Sequence, residues 1–132
     1  MTKIVIDTNV LVSAALSHSG NPAKITTLIS NKSEIQVFYS AEILDEYEKV
    51  LAYDKLKIDT EVQAAIVDTL KEFGTLIEPT ASAIPLPDET DRVFYDAANE
   101  CGAILVTGNI KHFPVEPFIM TPSELIQRMG MN

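Results

Sequence analysis

The chain has 132 residues, and 10 Lys plus Arg against 19 Asp plus Glu give a formal charge of −9. Its length suits one domain, residues 1–132, and a hydrophobic share of 46% against 22% charged excludes a disordered chain, because that much apolar surface offsets chain entropy. One cysteine, Cys101, and no Cys and His cluster at zinc spacing exclude a disulfide framework and a structural zinc site.

The first residues, MTKIVIDTN, lack the long apolar stretch of a signal peptide, and no apolar run approaches the roughly 20 residues that span a bilayer. A soluble, cytoplasmic protein with no membrane partner is expected. A domain this acidic is repelled by a phosphate backbone unless cations or a basic partner intervene, so a nucleic-acid role requires a source of positive charge.

In chain order, residues 3–7 read as a buried strand, because Ile4, Val5 and Ile6 form the continuous apolar run of a parallel sheet covered on both faces. Residues 10–16 suit a helix, and a second starts at Pro22 with Ile25, Leu28 and Ile29 as its stripe. Residues 35–39 are the second strand, and Ser40 caps a helix over 41–52 whose face is Ile43, Tyr47, Val50 and Leu51. A further helix over 60–73 is stopped by Gly74, and a short strand follows at 75–78. Pro79, Pro85 and Pro87 mark an irregular connection. Residues 88–101 read as a helix with Val93, Phe94, Ala97, Ala98 and Cys101 inward, closed by Gly102 in a left-handed conformation. Residues 103–107 and 117–120 are the fourth and fifth strands, and Thr121, Pro122 and Glu124 form a capping box for a terminal helix. Strands alternating with helices predict a three-layer α/β domain with a parallel sheet and right-handed crossovers, whose ligands bind at the carboxyl ends of the strands.

The polar residues at strand ends are therefore the candidates. Asp7 ends the first strand, where it can ligate a metal or, as the structural alternative, cap the next helix. On the helix after the second strand, Glu42 and Asp45 point away from the apolar face, while Glu46 and Glu48 flank it, and helical geometry does not choose between those two. In PDETDRVFYDAANE, Asp91 borders the apolar face, Asp88 stands where a cap belongs, and Asp96 is expected in solvent. After the fourth strand come Thr107, Gly108 and Asn109, with Lys111 and His112 on the loop beyond; a lone loop histidine reads as a surface or packing residue. Clustered carboxylates repel one another unless a divalent cation neutralises them, and oxygen ligands favour Mg²⁺ or Mn²⁺, whose usual substrates are phosphates.

DTNVLVSA, EILDEYEKVL, DETDRVFYDAA and LVTGN, in that order, resemble the four motifs of the PIN domain family, most closely its small VapC-like toxins. The resemblance spans residues 3 to about 113. It implies a five-stranded parallel sheet in the order 3-2-1-4-5. It also implies that Asp7, Glu46 and Asp91 match the metal-binding acids, which selects Glu46 over Glu48, and that Asn109 aligns with a fourth position that is usually Asp. An amide oxygen there is a weaker, neutral ligand, so a second metal is lost or bound only with substrate.

The function implied is a Mg²⁺- or Mn²⁺-dependent ribonuclease acting on single-stranded RNA, the toxin of a toxin and antitoxin pair, with Asn9, Thr107 and Asp88 supporting the site and no organic cofactor. The resemblance also implies a homodimer, and Leu125, Ile126, Met129 and Met131 exceed what one short helix must bury. One alternative is a degenerate PIN module that binds protein or RNA without cleaving it. Another, a phosphotransfer or receiver domain, lacks a second acid two residues after Asp7.

Overall fold

The computed structural model describes residues 1–31 and 34–130. Five parallel strands, β1 Thr2–Ile6, β2 Ile35–Tyr39, β3 Thr75–Leu76, β4 Ile104–Val106 and β5 Ile119–Met120, form one sheet in the order β3-β2-β1-β4-β5. Ile4, Val5 and Ile6 on the central strand are each 0% exposed. Successive strand residues face opposite sides of a sheet, so helices cover both faces and the architecture is the expected three-layer α/β/α.

Six helices do the covering: α1 Thr8–Leu16, α2 Asn21–Leu28, α3 Ala41–Leu51, α4 Thr60–Phe73, α5 Arg92–Cys101 and α6 Pro122–Arg128. Local signals account for several of their ends. The Ser40 side chain accepts from the Ile43 amide, Thr121 and Glu124 form a reciprocal capping box, and Gly102 ends α5 at a φ of +65°. Among the described residues no helix is long and apolar enough to cross a membrane.

The structure departs from expectation in four places. Gly74 closes α4 with extended backbone at a φ of −83°, so its role is space: a Cβ there would stand 2.5 Å from the Leu70 carbonyl oxygen and 2.9 Å from the Tyr39 ring. The helix expected over 88–101 is interrupted, because a tight turn at Glu89–Asp91 precedes α5 and Asp88 caps that turn through Thr90.

Asp96, expected in solvent, is 5% exposed. The proline-bearing connection folds back along α5 as an extended strap with Ser82, Ile84 and Leu86 turned inward, and Asp96 accepts from both the amide and the hydroxyl of Ser82. Arg92 ties the same strap through the Ser82 and Ile84 carbonyls, each at 2.7 Å. The helical wheel of α5 carried no sign that a loop without regular structure would cover that face.

Finally, Leu125 and Ile126 are buried in the core of this chain and Met129 packs against it, so these residues already have a partner surface within the fold. Met131 lies outside the described residues.

Candidate functional site

The strand order reverses between β1 and β4: the chain runs outward from β1 through β2 to β3, then returns to β4 and β5. The registry places Ile6 beside Val106, so the next residues, Asp7 and Thr107, leave the sheet together at the point where such folds bind ligands.

Asp7 occupies the N-cap position of α1, yet its side chain makes no capping bond. It is 6% exposed, and Oδ2 accepts from Thr107 Oγ1 at 2.8 Å and from Asn9 Nδ2 at 3.4 Å. Asn9 in turn accepts from the Gly108 amide at 3.0 Å. Burial raises the pKa of Asp7, the Thr107 bond opposes that rise, and the Glu46 charge adds to it. The Thr8 backbone amide also favours the charged carboxylate, so Asp7 serves the start of α1 while the Thr107 bond ties it to the end of the neighbouring strand.

Tyr47 brings α3 to the same point. Its buried hydroxyl donates to the Ile6 carbonyl, the last residue of β1, and its ring packs 6.2 Å from that of Phe94 on α5. Glu46, one residue earlier, lines a cleft of ≈ 400 Å³ together with Asp7 and Asp91. Glu42, Asp45 and Glu48 are exposed, and Glu48 lines a separate depression against α4.

Asp91 sits at the junction of the tight turn and α5, and its pKa is pushed up to about 6 by burial first, then by the charges of Asp7 and Asp88. Asp88, fully exposed, has its pKa lowered by the Thr90 hydroxyl and amide, both bonded to Oδ1. Asn109 does not line the cleft beside Asp7. Its backbone N–H donates to Thr107 Oγ1 at 3.0 Å, while its side-chain Nδ2 lies 2.9 Å from His112 Nε2.

His112, read from sequence as a surface or packing residue, is a half-exposed surface residue, and its Nδ1 also stands 3.5 Å from Asp91 Oδ2. Asp88, Asp91 and His112 each offer a ligand atom within 4.8 Å of the others. A tight turn over Ile110–His112 swings the imidazole back over the strand end, and that geometry has no sequence signature beyond the short distance from Gly108. Tyr53 and Lys55, on the turn after α3, also line the cleft, and no motif in the sequence marks them.

The donor set fits a divalent cation. Thr8 Oγ1 and Asp91 Oδ2, both in cleft-lining residues, are buried without a hydrogen-bond partner among the described residues, and buried polar atoms are rarely left so. Three carboxylates line one cleft, and burial and mutual charge raise the pKa of Asp7 and Asp91, a cost that a bound cation relieves.

Known proteins share this arrangement of elements. PAE2754 from Pyrobaculum aerophilum superposes with a TM-score of 0.61 at 14% identity, over 99% of this chain and 91% of its own. VapBC2 from Rickettsia felis, solved bound to a DNA fragment from their promoter, gives 0.57 at 19% identity, over 91% and 97%. An uncharacterized protein of Methanocaldococcus jannaschii is 33% identical over 110 residues, which is 81% of this chain and 70% of that protein. A family profile described as the PIN domain matches residues 3–111, a span that takes in Asp7, Glu46, Asp91 and Asn109, and the chain therefore belongs to the PIN domain family.

Proposed function

We propose that this protein is a divalent-cation-dependent ribonuclease that cleaves single-stranded RNA, with Asp7, Glu46 and Asp91 as the cation-holding acids. PIN domains are generally metal-dependent nucleases. The observation that carries the reading is the convergence of a buried Asp7, a half-buried Asp91 with an unpartnered oxygen, and Glu46 on one cleft at the reversal of the strand order.

The chemistry that bound Mg²⁺ or Mn²⁺ supplies there is a lowered pKa for water and stabilisation of the leaving oxygen of a phosphodiester. The chain supplies position. Thr107 holds Asp7 by one oxygen, Tyr47 locks α3 to β1 and so sets Glu46, and the turn capped by Asp88 sets Asp91. Lys55 at the cleft wall offers a positive charge to a phosphate backbone, and Tyr53 offers a ring face to an unpaired base. With the cation, this local charge answers the repulsion expected of a −9 chain.

The resemblance of the motifs to VapC-like toxins, and the superposition on a VapBC2 structure, support a toxin that pairs with a cognate antitoxin. The test is cleavage of single-stranded RNA in Mn²⁺ by purified protein, with Asp7→Asn as the control. Cleavage lost in the variant supports the reading. Equal inactivity of both proteins across metals and RNAs favours instead the degenerate binding module, which the turning of the Asn109 side chain toward His112 also suits.

A further inference from the structure

We infer that His112 is a nitrogen ligand of the cleft cation, and that with Asp91 and Asp88 it makes the site prefer a first-row transition ion such as Mn²⁺ over Mg²⁺. The inference rests on the reading of Asp7, Glu46 and Asp91 as cation ligands and adds a residue and a selectivity that the reading does not contain.

Three observations carry it. First, the spacing is that of a ligand set. Donors at about 2.1 Å from a small octahedral ion stand about 3.0 Å apart when adjacent and about 4.2 Å apart when opposite. His112 Nδ1 and Asp91 Oδ2 are 3.5 Å apart, and Asp88 brings a third donor within 4.8 Å of both, so a small adjustment closes all three on one ion.

Second, the imidazole is fixed from behind. A metal-bound histidine engages its other ring nitrogen with a hydrogen-bonding partner that holds ring and tautomer. Asn109 Nδ2 lies 2.9 Å from Nε2, on a residue outside the three donors, and the Asn109 backbone N–H donates to Thr107 Oγ1 beneath Asp7. A side-chain amide presents either its oxygen or its nitrogen by rotation about one bond, so Asn109 Oδ1 can accept the Nε2 proton and leave the Nδ1 lone pair directed at the cleft.

Third, the protein leaves oxygens in the same cleft unsatisfied. Asp91 Oδ2 meets no donor at full hydrogen-bonding geometry among the described residues, its polar neighbour being His112 Nδ1 at 3.5 Å, and Thr8 Oγ1 is without a partner among them in a residue 7% exposed. Buried oxygens left without donors are places where an ion or an ordered water binds.

The selectivity follows from the donors. Mg²⁺ favours carboxylate, carbonyl and water oxygens, whereas an imidazole nitrogen adds affinity for transition ions in the order that rises from Mn²⁺. Lys111 and Lys55, the cations nearest in sequence and cleft, offer no such donor.

The experiment loads the full chain with Mn²⁺ and records nitrogen couplings by pulsed electron spin resonance, with calorimetric titration of Mn²⁺ and Mg²⁺ into wild type, His112→Ala and Asp7→Asn. Imidazole nitrogen coupling is expected in the wild type and lost in His112→Ala, with Mn²⁺ affinity about tenfold weaker and Mg²⁺ affinity within about twofold of the wild type. Absence of nitrogen coupling in Mn²⁺-loaded wild type overturns the inference without reliance on any variant. Equal weakening of both ions by His112→Ala overturns it too. Loss of binding in Asp7→Asn with full binding in His112→Ala leaves the cation site standing and the histidine outside it, whereas a wild type that binds neither ion overturns both.

Discussion

The Thr107 hydroxyl donates to Asp7 Oδ2 at 2.8 Å across 100 residues of sequence, and Thr107 Oγ1 in turn accepts from the Asn109 backbone amide at 3.0 Å. One buried hydroxyl thus joins the ends of the two central strands and orients the carboxylate between them. Thr107→Val keeps the shape and removes the donor. It leaves a buried charged oxygen and the Asn109 amide short of a partner, so unfolding in denaturant should show a loss of about 2 kcal/mol. Cation affinity measured by titration should fall about tenfold, because the ligand is no longer held.

Tyr47→Phe tests how α3 is set against β1. The ring stays and its packing against Phe94 with it, while the bond to the Ile6 carbonyl goes. Stability should fall by about 1–2 kcal/mol, the usual cost of a lost buried bond to a carbonyl. RNA cleavage should fall further than stability at assay temperature explains, since Glu46 loses its anchor. A variant that is destabilised yet cleaves at the wild-type rate when folded would detach Glu46 from the chemistry.

The pH dependence of the cation-free protein should carry the mark of Asp91. Its pKa in the folded state is about 6 against an ordinary 3.8, so the folded chain holds this proton more tightly than the unfolded one. Stability from this group is therefore present at acid pH and lost as pH rises from about 4 to about 6. Asp91→Asn removes the effect, and above pH 6 it should be more stable than wild type by about 1 kcal/mol, a figure reduced from the full linkage for solvent screening. The difference should vanish near pH 4. Saturating Mn²⁺ should invert the order, because only the wild type gains from mass action.

Asn109→Asp should strengthen cation binding and weaken the empty protein. The side chain already meets His112, and an added carboxylate keeps that partner while placing another negative charge near Asp91. Melting temperature should drop in EDTA and rise more steeply with Mn²⁺ than in wild type. An unchanged Mn²⁺ affinity and an unchanged metal-induced shift would mean that residue 109 does not act on the cation through His112.

The sheet was legible because Ile4, Val5 and Ile6 have no polar neighbour to alternate with, and because Ser40, Gly102 and the Thr121 capping box mark helix ends by local chemistry. Asp7 and Asp91 could be picked out for the same reason, since strand ends and helix starts are the places a chain can present a carboxylate. Glu46 could not be separated from Glu48 by the wheel. Their difference lies in how α3 packs on its neighbours: Tyr47 bonds the Ile6 carbonyl, 41 residues distant in sequence, and Glu46 then lines the cleft while Glu48 lines the depression against α4. His112, Tyr53 and Lys55 lie on short turns whose direction depends on what they pack against. Asp96 failed for the opposite reason: periodicity identifies an apolar face, but not a polar face covered by a strap.

That strap leaves β3, an edge strand of two exposed residues, and ends at Asp88. Its fastening to Arg92 and Asp96 means that its far end moves with α5 and not with the sheet edge from which it departs. Asp88 and Asp91 are then two points on one rigid piece, insulated from fraying at β3. Opening at that edge can loosen the path toward the cleft without changing the spacing between the two carboxylates.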